Sequence, residues 1–153
     1  MVRMIRIALA AALLLGASAA TASPESEVLA VVDDALRAVS SNDAALFEKV
    51  MRPDAVIIAQ GYDADTDALA TRSYTVAQMA ERLRTPGRTI DERRTTSKVL
   101  VQRDLAHVWA DYTLDLEGKR LHCGVDSFGL VKQDGAWRIS SLTWTAEPKG
   151  CPK

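Results

Sequence analysis

From residue 91 to residue 146 the chain reads as strand with little interruption. Four runs, 91–101, 105–116, 120–131 and 136–146, are separated by Arg103-Asp104, Glu117-Gly118 and Gln133-Asp134-Gly135. Turns this short join antiparallel neighbours, because a parallel pair needs a crossover of about a dozen residues or more. The C-terminal half is therefore predicted to be a four-stranded meander. Whatever precedes it must cover one of its faces.

The segment before the meander is helical in pattern. Ser23 suits an N-cap and Pro24 a first helical position, and Val28, Val31, Val32, Ala35, Leu36 and Val39 recur as one apolar stripe. Ser40-Ser41-Asn42-Asp43 breaks that helix and caps a short second one through Leu46, Phe47 and Val50, which Arg52-Pro53-Asp54 stops. Val56-Ile57-Ile58-Ala59 reads as a short strand and 62–73 as a polar loop. Thr75-Val76-Ala77-Gln78 has capping-box spacing, with Met79 and Leu83 on the apolar side of a third helix ended by Pro86-Gly87. Helices first and antiparallel strands afterwards predict an α+β domain over 23–153.

Residues 1–22 are assigned to a secretory signal. Arg3 and Arg6 precede an apolar run at 7–15, and Ala20-Thr21-Ala22 is a small-x-small cleavage site. The run falls short of the roughly 20 residues that a spanning helix needs. The mature protein is therefore expected to be periplasmic or secreted, cut after Ala22, with no membrane contact. The full chain's 19 Lys+Arg against 20 Asp+Glu give a net charge of −1, and loss of Arg3 and Arg6 with the signal makes it −3, which removes the cationic surface that holds nucleic acid. Export also gives the only two cysteines, Cys123 and Cys151, a meaning: an even pair in an oxidising compartment predicts a disulfide. Two free thiols or an intermolecular bridge are the alternatives.

The hairpins supply a predicted register. A two-residue Glu117-Gly118 turn pairs Leu116 with Lys119 and so sets Asp111 opposite Gly124, Trp109 opposite Asp126, Thr113 opposite His122 and His107 opposite Phe128. Lys132 opposite Gly135 in the next hairpin sets Asp126 opposite Ser141. One face then collects His107, Trp109, Asp111, Thr113, His122, Asp126, Phe128, Leu130, Trp137, Ile139, Ser141 and Thr143, apolar towards the second turn and polar towards the other end. Val108, Ala110, Tyr112, Val125, Leu142 and Trp144 fall on the other.

Asp91-Glu92-Arg93, Ala106-His107-Val108-Trp109, His122-Cys123-Gly124-Val125-Asp126-Ser127-Phe128, Trp137-Arg138-Ile139 and Gly150-Cys151 resemble the pattern of exported bacterial members of the nuclear transport factor 2-like (SnoaL-like, ketosteroid isomerase-like) superfamily. The resemblance covers nearly all of 23–153. It implies a cone-shaped, cystatin-like fold in which helices close over a curved antiparallel sheet to make a pocket. It also implies a homodimer formed through the outer sheet face. It does not specify an activity, because this scaffold hosts isomerases, dehydratases, cyclases and non-catalytic modules.

Within that pocket, Asp126, Asp111 and His122 are the predicted acid/base group. Two carboxylates near an imidazole under an apolar roof shift one another's proton affinity. Trp109, His107, Phe128, Ser141 and Thr143 are the predicted ligand contacts, with Tyr62 and Tyr74 as further candidates. The competing reading is a structural network in which Asp126 bonds Ser141 or a backbone amide. No metal is expected, since the His and Asp positions spread over several residue steps, and Asp63-Ala64-Asp65-Thr66-Asp67 lacks the later glycine and glutamate of a calcium loop. No cofactor is expected either. The predicted function is binding of one small, partly apolar molecule. An isomerase or dehydratase with a pocket carboxylate as general base is one alternative, and a ligand-free dimeric association module is another.

Overall fold

The computed structural model describes residues 22–85 and 87–152. Residues 1–21, which hold nearly all of the assigned signal, lie outside the described residues, as does Pro86. Among the described residues no helix is long and apolar enough to cross a membrane.

Three helices open the chain: α1 (Pro24–Ser41), α2 (Ala44–Val50) and, after two strands, α3 (Val76–Arg84). Each starts on a side-chain cap. Ser23 accepts from the Ser26 amide, Asp43 from Leu46, and Thr75 and Gln78 form the reciprocal capping box. Asn42, in the left-handed conformation (φ 54°), ends α1 and returns its amide to the Ala38 and Val39 carbonyls. The apolar stripe of α1 buries Val28, Val32, Ala35 and Leu36, and Glu27 on the same helix pairs with Lys132 at 2.9 Å and accepts from Trp137 Nε1.

The strands are β1 (Met51–Tyr62), β2 (Leu69–Tyr74), β3 (Ile90–Gln102), β4 (Leu105–Leu116), β5 (Lys119–Gln133) and β6 (Ala136–Ala146). They form one mixed sheet in the order β2-β1-β6-β5-β4-β3, with β1 parallel to β6 and the other pairs antiparallel. The four-stranded meander is thus extended by two strands. Part of the expected 62–73 loop is strand β2, paired from Tyr62↔Leu69 to Ile57↔Tyr74. The acidic run before it is a turn organised by Asp63, whose Oδ1 accepts from the Asp65 and Thr66 amides and the Thr66 hydroxyl.

The register departs from the expected one at two single-residue bulges. Leu116↔Lys119 and Asp115↔Arg120 pair as predicted, but Leu121 is then unpaired and Leu114 meets His122. From there Asp111 opposes Val125, Trp109 opposes Ser127 and His107 opposes Gly129. In the second hairpin the turn is Asp134-Gly135, and Ser140 is unpaired between Leu130↔Ile139 and Gly129↔Ser141, so Asp126 opposes Trp144. A one-residue slip sends every following side chain of one strand to the opposite face. The helix-facing side of β4 is therefore Ala106, Val108, Ala110, Tyr112 and Leu114, and that of β6 beyond the bulge is Leu142 and Trp144.

The chain closes with a disulfide between Cys123 and Cys151, whose α-carbons are 5.5 Å apart and 28 residues apart in sequence. Cys123 also exchanges backbone hydrogen bonds with Glu147, so the tail lies along β5. Cys151→Ser is expected to lower unfolding free energy by about 3–4 kcal/mol, the loop-entropy value for a span of this length. Urea unfolding of the oxidised parent and the variant measures it; equal midpoints would refute the contribution.

Candidate functional site

Rungs of paired residues cross the sheet on its helix-facing side and grade from apolar to polar. The first, from β2 to β3, is Tyr74, Ile57, Leu142, Phe128, Val108 and Val99. The next is Arg72, Ala59, Trp144, Asp126, Ala110 and Ser97. Further along, Gly124, Tyr112 and Arg94 align, then His122, Leu114 and Glu92. The helices pack on the apolar rungs. Over the polar ones they leave a cavity of about 850 Å³, roofed by Leu36, Phe47 and Met79 and floored by Trp144, Asp126 and His122.

Asp126 is 2 % exposed, and its Oδ2 has no hydrogen-bond partner among the described residues. A buried acceptor left without a donor strongly disfavours the carboxylate. Burial first, and the Glu92 charge second, push its pKa well above the ordinary carboxyl value. Glu92 faces the same cavity from β3, and burial raises its carboxyl to about 7. Arg94, two residues beyond Glu92 on β3, is already committed: it makes a two-bond fork with Asp33 of α1, at 3.0 and 2.9 Å.

Tyr112 is the largest side chain buried in this region. Its hydroxyl donates to the Thr145 carbonyl at 2.7 Å and lies 3.1 Å from His122 Nδ1. A phenol has one proton, so the Thr145 bond makes the hydroxyl an acceptor towards His122, and Nδ1 carries the ring proton. Nε2 is then the free lone pair of a neutral imidazole. Burial lowers the His122 pKa, in keeping with that form, and raises that of Tyr112. Gly124, between His122 and Asp126 on β5, admits this arrangement by having no side chain. A Cβ there would meet the Thr145 carbonyl oxygen at 2.2 Å.

The structure divides the residues singled out from sequence. Asp126, His122 and Phe128 line the cavity together with Tyr62 and Tyr74. Asp111, Trp109, His107, Ser141 and Thr143 do not, because the two bulges place them on the outer face. Trp109 is 50 % exposed, and Asp111 accepts from the Thr96 hydroxyl of β3. The Asp111–His122–Asp126 cluster is therefore not assembled; Glu92 and Tyr112 stand near His122 and Asp126 in its place. Nor does Asp126 bond Ser141, which lies across the sheet. Among the described residues no group of three or more His, Cys, Asp or Glu is arranged to hold a metal ion.

Sequence reasoning passed over Glu92, Tyr112 and Trp144 as site residues. The signal for the last two was present: Ala106, Val108, Ala110 and Tyr112 are the apolar set of β4, alternating with His107 and Asp111. In β6 the apolar spacing changes from two to three between Ile139 and Leu142, across Ser140-Ser141, which marks the bulge. Glu92 had no such signal, since β3 is polar on both faces at that point.

The SnoaL-like domain profile matches residues 28–143. No curated protein matches the sequence. Among solved structures, an NTF2-like protein from Cytophaga hutchinsonii superposes with a TM-score of 0.68 at 13% identity, covering 82% of this chain and 99% of that one. An NTF2-like protein of unknown function from Pseudomonas putida gives 0.63 at 16% identity, with 84% and 96% covered. A protein with a cystatin-like fold from Nostoc punctiforme gives 0.62 at 12% identity, with 80% and 90% covered. At these identities the likeness is one of fold.

Proposed function

The chain belongs to the SnoaL-like domain family, and from that premise we propose that it is an exported domain binding one partly apolar small molecule in the cavity above β5 and β6. One observation carries this reading: a nearly inaccessible carboxyl without a partner, Asp126, forms part of the wall of a mainly apolar cavity of about 850 Å³. Scaffold carboxyls are hydrogen-bonded when buried; one kept dry and free is held ready for a guest. The disulfide supports export, since such bridges persist outside reducing compartments. Exposed Val56, Leu100, Leu105 and Trp109 on the outer face support a second copy of the chain as its partner. An open cavity weighs against an association module with a filled cone.

Ala59, on the Asp126 rung between Arg72 and Trp144, is the place to test this. Ala59→Phe fills cavity space while leaving Asp126, Glu92 and His122 unchanged. Protein taken from its own compartment is expected to release a small molecule on denaturation, detected by mass spectrometry, and the filled variant is expected to release none. Identical extracts from two equally stable proteins would overturn the reading.

A second reading, proton transfer of the isomerase or dehydratase type, is favoured by Glu92. Its carboxyl changes charge near pH 7 within the cavity that Asp126 and the neutral His122 also line. Glu92 then acts as base and protonated Asp126 as donor to the developing oxyanion. Incubation of the released molecule with the protein in heavy water tests it: deuterium enters with the parent protein and not with Glu92→Gln. Equal labelling by both excludes Glu92 as the base.

A further inference from the structure

Six of the described arginines, Arg37, Arg52, Arg84, Arg93, Arg94 and Arg120, are ion-paired with carboxylates. Of the remaining five, three line the same cavity: Arg72 from β2, Arg82 from α3 and Arg88 from the segment leading into β3. None of the three has an acidic partner among the described residues, and all are exposed at the cavity mouth. Three separate elements thus bring free guanidinium groups to one opening, in a chain whose net charge is −1.

The wall between this cationic mouth and Asp126 is aromatic. Arg82 lies over the Tyr74 ring at 5.2 Å, and Tyr74 stacks on Trp144 with planes 9° apart and centroids at 6.2 Å. Trp144 is the register partner of Asp126. Arg72 is on the same rung, three strands away from Asp126, which is about 14 Å along the hydrogen-bonding direction at the usual strand spacing. Both polar ends and the flat wall belong to one continuous surface.

We propose that the ligand is an elongated organic anion, with a carboxylate-like head held by Arg72, Arg82 and Arg88, a flat apolar body against Tyr74 and Trp144, and a polar atom at the inner end for Asp126. Guanidinium forks match a planar oxyanion in two parallel bonds, and they retain their charge at every pH the fold meets. The raised proton affinities of Asp126 and Glu92 lessen the negative charge at the inner end, which would otherwise repel such a guest. This rests on the cavity being the binding site and adds the class of molecule it takes.

Two dyes with one skeleton separate the claims: N-phenyl-1-naphthylamine, which is neutral, and 8-anilinonaphthalene-1-sulfonate, which is anionic. Arg72→Gln combined with Arg88→Gln is expected to weaken the anionic dye about tenfold or more while leaving the neutral one within about twofold. Raising salt is expected to do the same to the unmodified protein, which needs no variant to fold. Ala59→Phe is expected to weaken both dyes. If the arginine variant and salt leave the two dyes equally affected, the anion specificity is overturned and cavity binding stands. If Ala59→Phe leaves both dyes bound, they sit elsewhere and the cavity reading itself fails.

Discussion

Asp126→Asn is expected to match the parent protein in stability near pH 4 and to exceed it increasingly as the pH rises towards neutrality. The sign follows from linkage. Asp126 has a higher pKa folded than unfolded, so between the two values the folded state binds more protons and stability falls with rising pH. The slope reaches at most about 1.4 kcal/mol per pH unit for one group. An amide cannot ionise and removes that slope. Asp126→Leu removes the buried polar group altogether and is expected to gain about 1–3 kcal/mol at neutral pH. Groups that do not interact with Asp126 titrate in both proteins and cancel in the difference, whereas loss of the repulsion between Asp126 and Glu92 adds to it in the same direction. Glu92 has the same sign up to its value of about 7; His122, with a lowered pKa, has the opposite sign and destabilises the fold as pH falls below its ordinary range. The ion-paired surface acids Glu27 and Asp54 stabilise above their ordinary pKa and lose that as pH falls, but they are solvent-screened. Urea midpoints of the three proteins at several pH values decide the matter. A destabilised Asp126→Asn at neutral pH would mean a charged, partnered carboxylate.

Gly124→Ala is expected to cost about 3 kcal/mol, the upper range for forcing extra volume into a packed site. The added methyl would stand 2.2 Å from the Thr145 carbonyl oxygen and 2.6 Å from its hydroxyl. Backbone rather than a flexible side-chain tip is in the way, so β5 and the end of β6 must separate. That carbonyl is the acceptor of the Tyr112 hydroxyl, and the Thr145 hydroxyl accepts from the Val125 amide, so both bonds are strained together. Binding of the neutral naphthylamine dye is expected to weaken with stability. Gly61→Ala is the matched control: its nearest contact is an ordinary 3.8 Å, and it is expected to stay within about 0.5 kcal/mol of the parent. Equal effects of the two substitutions would contradict this account of Gly124.

The elements were largely legible because each carries local chemistry that acts alone. The Ser23-Pro24 start, the Thr75–Gln78 box and the Glu117-Gly118 turn satisfy backbone groups within a few residues, and all three appear as read. The site was legible only in part, because it depends on pairing between strands. Leu121 and Ser140 each add one residue to one side of a ladder; a change of apolar spacing marks the one at Ser140, and nothing comparable marks Leu121. The result was to exchange Asp111 for Tyr112 and Thr143 for Trp144. Asp126, His122 and Phe128 share β5 and kept their common face whatever their neighbours did. β2 escaped notice for a different reason: five of its six residues are exposed, so Leu69–Tyr74 shows no apolar alternation, yet it delivers Arg72 and Tyr74 to the cavity. The arginine mouth has no signature in one dimension, since its three residues come from three elements.

The central claim is that Asp126 stands uncharged and unpartnered in the wall of a ligand cavity. With carbon-13 in the aspartate carboxyls, its signal can be followed by NMR through a pH titration, with and without N-phenyl-1-naphthylamine. The account predicts a signal that keeps its protonated position well above the ordinary value of 3.8 and moves when the dye is added. A carboxyl that titrates near 3.8 and ignores the dye would contradict it.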